Sequence, residues 1–179
     1  MSFGVHHIGM TVGNLRRSVE FYGTVFGLDP GMIFDITAGE ATAAALDLPR
    51  HKQKVALVPA GDILLELIEF VPPRRQFDGR QDDVGYAYVC LGVTDIDAVY
   101  ERLIAKGVKI NTPPHLSEGP DPVTGSKFCI VKDPDGKNVE LVEMGPGMSM
   151  DIIRRRAAER AASLDDPIVL GRSEQTLER

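Results

Sequence analysis

The chain has few cysteines, no excess of positive charge and no long apolar run. Its two cysteines, Cys90 and Cys129, lack CxxC spacing, which favours two reduced thiols in a core or cavity and a cytoplasmic location. Lysine and arginine number 20 against 26 acidic residues, a formal net charge of −6, so nucleic acid is not an expected partner. No apolar stretch reaches the length of a membrane span, and no secretory leader opens the sequence.

What remains is the composition of an ordinary soluble globular protein. Of the 179 residues, 43% are hydrophobic and 26% are charged. This length suffices for one domain or for two small modules that share a core.

The main organising feature is an internal duplication. Segment 7–15 resembles segment 88–96, since in both a strand-like run ends in Val, passes a polar N-cap and opens an amphipathic helix. Segment 65–70 (LELIEF) is likewise matched by segment 139–144 (VELVEM). The repeat predicts one supersecondary unit used twice.

Each copy is predicted to be a β-α-β-β-β module, which gives an α+β fold. We expect a first module over 1–72, a polar linker over 73–84, a second module over 85–147 and a C-terminal helical extension over 148–179. Predicted strands lie near 4–12, 32–36, 54–58 and 64–70, and then near 86–93, 108–111, 126–132 and 138–144. The Pro- and Gly-rich segment 113–125 is a candidate lid over a site.

Strand periodicity selects the candidate site residues. Neighbouring side chains in a strand point to opposite faces, so His7 and Tyr88 occupy equivalent places in the two copies, as do Glu66 and Glu140. If each module curls into half a barrel, these four side chains can converge on one cup. Two carboxylates in a shared cavity repel unless a cation or a proton lies between them. An imidazole with two carboxylates is a reasonable donor set for Zn, Mn, Ni, Co or Fe.

The same segments carry a family resemblance. The His7 to Val12 opening, the Phe21-Tyr22 and Phe26-Gly27-Leu28 helix end, and segment 133–141 (DPDGKNVEL) resemble the vicinal oxygen chelate superfamily, the glyoxalase, bleomycin resistance and extradiol dioxygenase group. The resemblance covers about residues 3–145. It implies paired βαβββ modules that form a curved mixed sheet or open barrel around a metal-binding cleft, and a homodimer.

The resemblance also implies site residues. Carried over to this sequence, the family's ligand positions on the first and fourth strands of each module fall on His7, Glu66, Tyr88 and Glu140. Tyr88 departs from the pattern, because the family usually has a second His there. Extradiol cleavage uses two His and one carboxylate, so the departure disfavours a dioxygenase unless His6 or His115 supplies an imidazole.

The functional hypothesis is therefore an isomerase or lyase of the glyoxalase or epimerase kind. His7, Glu66 and Glu140 are the expected metal ligands, and Glu66, Glu140 and Tyr88 the candidate catalytic residues. The expected substrate is a small keto, hydroxy or acyl-thioester compound, and metal-stabilised proton transfer is the expected chemistry. A metal-free protein that binds antibiotic-like small molecules is the first alternative, and an extradiol-type dioxygenase is the second.

Overall fold

Two four-stranded mixed sheets with helices make up the structure, a computed structural model that describes residues 5–72, 85–86, 88–118 and 124–162. The first sheet contains β1 (His7–Thr11), β2 (Met32–Ala38), β3 (His51–Ala60) and β4 (Ile63–Val71), with α1 (Leu15–Phe26) and α2 (Glu40–Ala45) between its first three strands. The second contains β5 (Tyr88–Gly92), β6 (His115–Leu116), β7 (Lys127–Lys132) and β8 (Asn138–Glu143), with α3 (Ile96–Ala105) after β5. A short 3-10 turn (Pro146–Met148) leads into α4 (Met150–Ala162).

Both sheets have the same topology. Their strand orders are β1-β4-β3-β2 and β5-β8-β7-β6, so the first strand of each module pairs with the last. That pair is parallel, whereas every other pair is antiparallel. The predicted α+β fold from two βαβββ modules is confirmed. The topology places the strands that carry the candidate site residues side by side.

The first helix of each module begins at a side-chain cap. Asn14 accepts a hydrogen bond from the backbone N–H of Arg17 at 2.9 Å, and Asp95 accepts one from Ala98 at 3.1 Å. In α1 the buried residues recur at helical spacing, which turns one face of the helix onto the sheet. They are Leu15, Ser18, Tyr22 and Val25. Gly27 ends this helix with φ 71°, a conformation that favours glycine.

A single hydrophobic core joins the two modules. It includes Tyr22 of α1, Leu67 of β4, Leu103 of α3 and Leu141 of β8, each with an exposed fraction of 0%. A polar contact also links the two modules, since Asp135 accepts a hydrogen bond from the backbone N–H of Gly13 at 2.8 Å. The modules of one chain therefore pack against each other.

One predicted strand is wrong and one is missed. Segment 108–111 forms only an isolated bridge between Ile110 and Val131, and the strand that pairs with β7 is the two-residue β6. Pro113 and Pro114 lie between the two points of contact, and proline has no N–H to continue a ladder. β6 falls inside the segment predicted to be a lid.

Other predictions fall partly beyond the part of the chain that the structure describes. The predicted linker 73–84 lies outside the described residues, and so do 119–123 of the candidate lid and the tail from 163. The boundaries of the modules and of the C-terminal extension stay predictions. Among the described helices, none is long and apolar enough to cross a membrane.

Candidate functional site

The first half of the candidate site is formed by His7 of β1 and Glu66 of β4. The parallel register sets Gly9 opposite Glu66, so His7 lies two residues before the residue opposite this carboxylate and on the same face. His7 Nε2 lies 3.5 Å from Glu66 Oε2, with exposed side-chain fractions of 47% and 24%. The structure thus brings two predicted site residues together on a solvent-accessible surface.

Gly9 leaves the space beside this pair open. A side chain added at this glycine would begin 3.8 Å from Glu66 Oε2, an ordinary contact distance. Because Gly9 has only a hydrogen as its side chain, the Glu66 carboxylate can be reached from the face of the sheet on which His7 lies.

The second half of the site has the same geometry and different chemistry. The register of β5 and β8 sets Cys90 opposite Glu140, with Tyr88 two residues earlier. Burial and a hydrogen bond to the Glu140 carboxylate raise the pKa of Cys90 to about 12. The same carboxylate is the largest cause that raises the pKa of Tyr88. Tyr88, Cys90 and Glu140 therefore form a second cluster, in which a thiol replaces the open space at Gly9.

A further pair of carboxylates lies on the opposite face of the same strands. Glu69 Oε2 accepts the backbone N–H of Leu15 at 2.7 Å, and Glu143 Oε2 accepts that of Ile96 at 2.8 Å. These N–H groups belong to the first turns of α1 and α3, where the helix dipole favours negative charge. Glu69 and Glu143 thus have a structural role in both modules, and Glu66 and Glu140 are left to the other face.

The structure does not gather all the predicted ligands at one point. Within the described residues, no group of three or more His, Cys, Asp and Glu side chains is placed to hold one metal ion. His7 with Glu66 is one pair, and Glu140 with Cys90 and Tyr88 is a separate cluster. The proposed convergence of the two stays a prediction.

The first pair nevertheless fits a divalent ion as two of its ligands. Two atoms about 2.1 Å from one ion at a tetrahedral angle lie about 3.4 Å apart, which is close to the 3.5 Å between His7 Nε2 and Glu66 Oε2. Imidazole nitrogen with carboxylate oxygen also suits Zn, Mn, Ni, Co and Fe. Glu140 is the third donor that the sequence offers.

The remaining histidines have other neighbours. His115, which could have supplied an imidazole, stacks edge-on against Phe128 with ring centroids 5.5 Å apart. His51 Nδ1 lies 2.7 Å from the carbonyl oxygen of Pro49. His6 is the exception, because its Nδ1 lies 2.9 Å from Nδ1 of His7.

Comparison with known proteins identifies the family of the chain. The sequence profile of the Glyoxalase/Bleomycin resistance protein/Dioxygenase superfamily matches residues 4–141. The chain belongs to that superfamily. Within it, the chain is 31% identical over 150 residues to the 2-epi-5-epi-valiolone epimerase of an Actinomyces species, and the match covers 80% of each protein. It is 26% identical to a lactoylglutathione lyase of Arabidopsis thaliana, covering 78% of this chain and 44% of that one.

A solved structure supports the same fold. A glyoxalase family protein from Bacillus cereus superimposes on this chain with a TM-score of 0.66 at 20% sequence identity. The superposition covers 80% of this chain and 95% of the Bacillus cereus protein. At this identity the likeness concerns the fold alone. The sequence-based prediction of the superfamily is confirmed.

Cys90 is the main site residue that the sequence-based reasoning left without a role. Its position on the same face as Tyr88 follows from strand alternation, but its contact with Glu140 depends on the register of β5 and β8. The alignment of the two modules could have revealed it, because Cys90 occupies the place of Gly9.

Proposed function

We propose that this protein is a divalent-metal-dependent enzyme that epimerises, isomerises or cleaves a small keto, hydroxy or acyl-thioester substrate by proton transfer at carbon. The observation that carries the proposal is the 3.5 Å approach of His7 Nε2 to Glu66 Oε2 on two adjacent parallel strands. An accessible imidazole beside an accessible carboxylate, next to an open glycine position, is suited to bind an ion that substrate can reach.

His7, Glu66 and Glu140 would hold the ion. When bound, the ion would hold two adjacent substrate oxygens and stabilise the negative charge that builds on them. The side chains of the second cluster would act on the substrate itself. Tyr88 has an exposed fraction of 46%, so its hydroxyl can donate a hydrogen bond to a substrate oxygen.

A carboxylate would take the proton. Glu140 is our first choice of base and would exchange its place at the ion for this role, because its protein neighbours in the cluster are a thiol and a phenol and neither is a cation. Its carboxylate oxygen would accept the proton from the substrate carbon and, in an isomerisation, return it to the neighbouring atom. In an epimerisation, a second group on the opposite face would deliver a proton to that carbon, and protonated Glu66 would take this role. Glu66 is the alternative base. The name of the Actinomyces relative favours epimerisation among these outcomes.

Metal analysis combined with isotope exchange tests the proposal. We expect protein purified without chelators to contain close to one divalent ion per chain, and His7→Ala and Glu66→Gln to lose it. Glu69→Gln is the matched control, because Glu69 lies on the same strand and faces the helix. In deuterated water, the loaded protein should exchange a carbon-bound proton in a panel of 2-oxo acids, cyclic ketones and acyl thioesters.

Trace metal that these substitutions leave unchanged would contradict the proposal. It would favour the second candidate, a metal-free small-molecule binding protein. Two exposed aromatic side chains support that alternative, since Tyr88 stands where the family usually has a His and Tyr86 has an exposed fraction of 101%. Shifts in melting temperature with aromatic antibiotics, independent of chelator, would establish it.

Bound iron and consumption of oxygen with catechols would instead indicate a dioxygenase. The homodimer and the cytoplasmic location suggested by the sequence also stay predictions. Sedimentation of the purified protein tests the homodimer.

A further inference from the structure

We propose that Lys132 binds a carboxylate of the substrate, so that the site selects an acidic keto or hydroxy compound over a neutral one. The observation is a row of three polar side chains across the second sheet, formed by Tyr88 of β5, Asn138 of β8 and Lys132 of β7. This inference rests on the proposed function, in that the face of this sheet that carries Glu140 is taken to hold the substrate.

The strand register puts the row on the same face as Glu140. Tyr88 lies opposite Asn138, and Asn138 lies opposite Lys132. Because Asn138 precedes Glu140 by two residues, the row lies one strand repeat, roughly 6.8 Å, from that carboxylate. Val131, the residue before Lys132, has an exposed fraction of 0% and faces the core. Strand alternation therefore turns Lys132 towards the candidate site.

The ammonium of Lys132 is held in place without a balancing charge. Its Nζ donates a hydrogen bond to Asn138 Oδ1, and its backbone N–H donates one to the carbonyl oxygen of Lys109 at 3.0 Å. Within the part of the chain that the structure describes, no carboxylate lies at ion-pair distance from Lys132. An ammonium has three donors, so two remain for a ligand.

The other lysine that ends this strand shows the contrast. Lys127 lies opposite Glu143, on the helix side of the sheet, and its Nζ pairs with the carboxylate of Asp97 in α3. Lys127 is therefore neutralised by the protein itself. Of these two lysines, Lys132 is the one that faces the candidate site and has a charge left to offer.

The equivalent row of the first module lacks this chemistry. There His7 lies opposite Leu64, and Leu64 lies opposite Pro59. An amide and an ammonium in the second module thus occupy the places of a leucine and a proline. The two modules therefore differ in charge beside their equivalent carboxylates, and the cation belongs to the second module.

The row on the other side of Glu140 is apolar. Gly92 lies opposite Val142, which lies opposite Phe128. A substrate above Glu140 would meet a cation at one end and apolar side chains at the other. One ammonium balances the single charge of a carboxylate, whereas a phosphate monoester carries about −1.5 to −2 at pH 7. The arrangement therefore fits a small acid whose carboxylate lies a few bonds from the reacting carbon.

Binding of an acid and of its neutral ester to chelator-treated protein tests the inference. The probes are levulinate and methyl levulinate, which share one ketone and differ in charge. Calorimetry at low salt should show the acid bound about 10-fold more tightly, because charge-assisted hydrogen bonds are the stronger ones. The net charge of −6 gives the whole molecule no general attraction for anions, so such a preference would be local. Added salt should weaken binding of the acid and leave the ester unaffected.

Three variants separate the charge of Lys132 from its structural contact. Lys132→Gln can still donate to Asn138 Oδ1 but has no charge, so it should bind acid and ester within about twofold of each other. Lys132→Arg keeps the charge and should keep the preference within about threefold. Lys127→Gln is the matched control, because it removes a lysine of the same strand from the opposite face, and it should retain the full preference.

Three results would overturn the inference. They are equal affinities of the natural protein for acid and ester, an unchanged preference in Lys132→Gln, and an equal loss of preference in Lys127→Gln. If Lys132→Gln does not fold, the natural protein still decides, because an affinity for the acid that is independent of salt would also overturn the inference.

Failure of the proposed function would look different. In that case the loaded natural protein would exchange no carbon-bound proton in deuterated water, yet the binding measurements on metal-free protein would still decide the role of Lys132. If only the inference fails, the loaded protein will exchange protons of neutral cyclic ketones as readily as those of 2-oxo acids, and Lys132→Gln will leave that ratio unchanged.

Discussion

Single residues differ between the two modules where they face the candidate site. Cys90 and Gly9 occupy equivalent places opposite Glu140 and Glu66, but only the thiol makes a hydrogen bond there. Because the thiolate is the nucleophilic form of cysteine, its protonation can be followed chemically. Cys90 therefore reports on the state of Glu140 without any knowledge of the substrate.

We predict that Cys90 of chelator-treated protein alkylates slowly at pH 8. Burial and Glu140 raise its pKa from 9.0 to about 12, so the thiolate fraction falls by about a thousandfold. Glu140→Gln should speed alkylation, because it removes the negative charge beside the thiol. The rate should stay below that of free cysteine, since burial is the larger cause. Iodoacetamide labelling of the Cys90 peptide, followed by mass spectrometry, measures the rate.

Two other residues serve as controls for this experiment. Glu66→Gln changes the equivalent carboxylate of the first module and should leave the Cys90 rate unaltered. Cys129 has an exposed fraction of 1% and should stay unlabelled in folded protein. Equal rates in the natural protein and in Glu140→Gln would show that the carboxylate does not act on the thiol.

At the scale of the elements, each module connects its last strand to its first helix through a carboxylate. Glu69 contacts the N-terminus of α1 and Lys54, whose Nζ lies 3.1 Å from its Oε1. Burial opposes ionisation of Glu69, but the Leu15 N–H and Lys54 outweigh it, so its pKa is lowered. A carboxyl group with a lowered pKa in the folded state stabilises the protein above the ordinary pKa, and this stabilisation is lost as the pH falls.

Glu69→Gln should therefore lower the free energy of unfolding at pH 7 by about 1 to 2 kcal/mol. The difference from the natural protein should shrink between pH 5 and pH 3, because protonation removes the same charge from natural Glu69. Urea unfolding at several pH values measures it. Glu66→Gln on the same strand has no helix contact to lose, and a pH-dependent loss equal to that of Glu69→Gln would contradict the argument.

The junction between β8 and α4 depends on a glycine. A Cβ at Gly145 would lie 2.7 Å from the carbonyl oxygen of Thr124 and 2.8 Å from both Gly125 C and Ser126 N, all of them backbone atoms. Backbone cannot move aside as a flexible side chain does. Gly145→Ala should therefore cost about 1 to 3 kcal/mol of stability.

Gly39→Ala is the matched control for Gly145→Ala, because a Cβ at Gly39 would meet nothing within 4 Å. Its urea midpoint should stay close to that of the natural protein. Equal midpoints for the two variants would show that the segment around Thr124 adjusts without strain.

At the scale of the whole molecule, the fold could be predicted because the duplication repeats the strand and helix patterns. A pattern found in one module therefore supports the same assignment in the other. Alternation in segment 65–70 puts Leu65 and Leu67 on one face of the strand, and the structure buries both, with exposed fractions of 1% and 0%. The same alternation puts Glu69 on the face of these leucines, but its hydrogen bond with Leu15 depends on how α1 docks, which the pattern does not contain. β6 was missed because two residues beside two prolines carry no strand periodicity.

The candidate site was predictable only in part, for a similar reason. Equivalent positions in the modules identify His7, Glu66, Tyr88 and Glu140. The His7–Glu66 distance and the Cys90–Glu140 contact depend on strand register, which single-strand patterns do not contain. The His6–His7 contact depends on where β1 begins, and strand limits are the least certain part of such a prediction.

The shared topology also gives protein engineers an internal template. Glu66 and Glu140 are alike, and the other lining positions differ in chemistry between equivalent places, so Tyr88→His together with Cys90→Gly would copy the first lining onto the second sheet. Tyr88 has an exposed fraction of 46%, and Gly9 shows that the equivalent position of β1 accepts glycine. Neither exchange therefore requires the core to repack. Comparing such a symmetrised protein with the natural one would show which properties of the site come from the shared scaffold and which come from the residues that differ between the two modules.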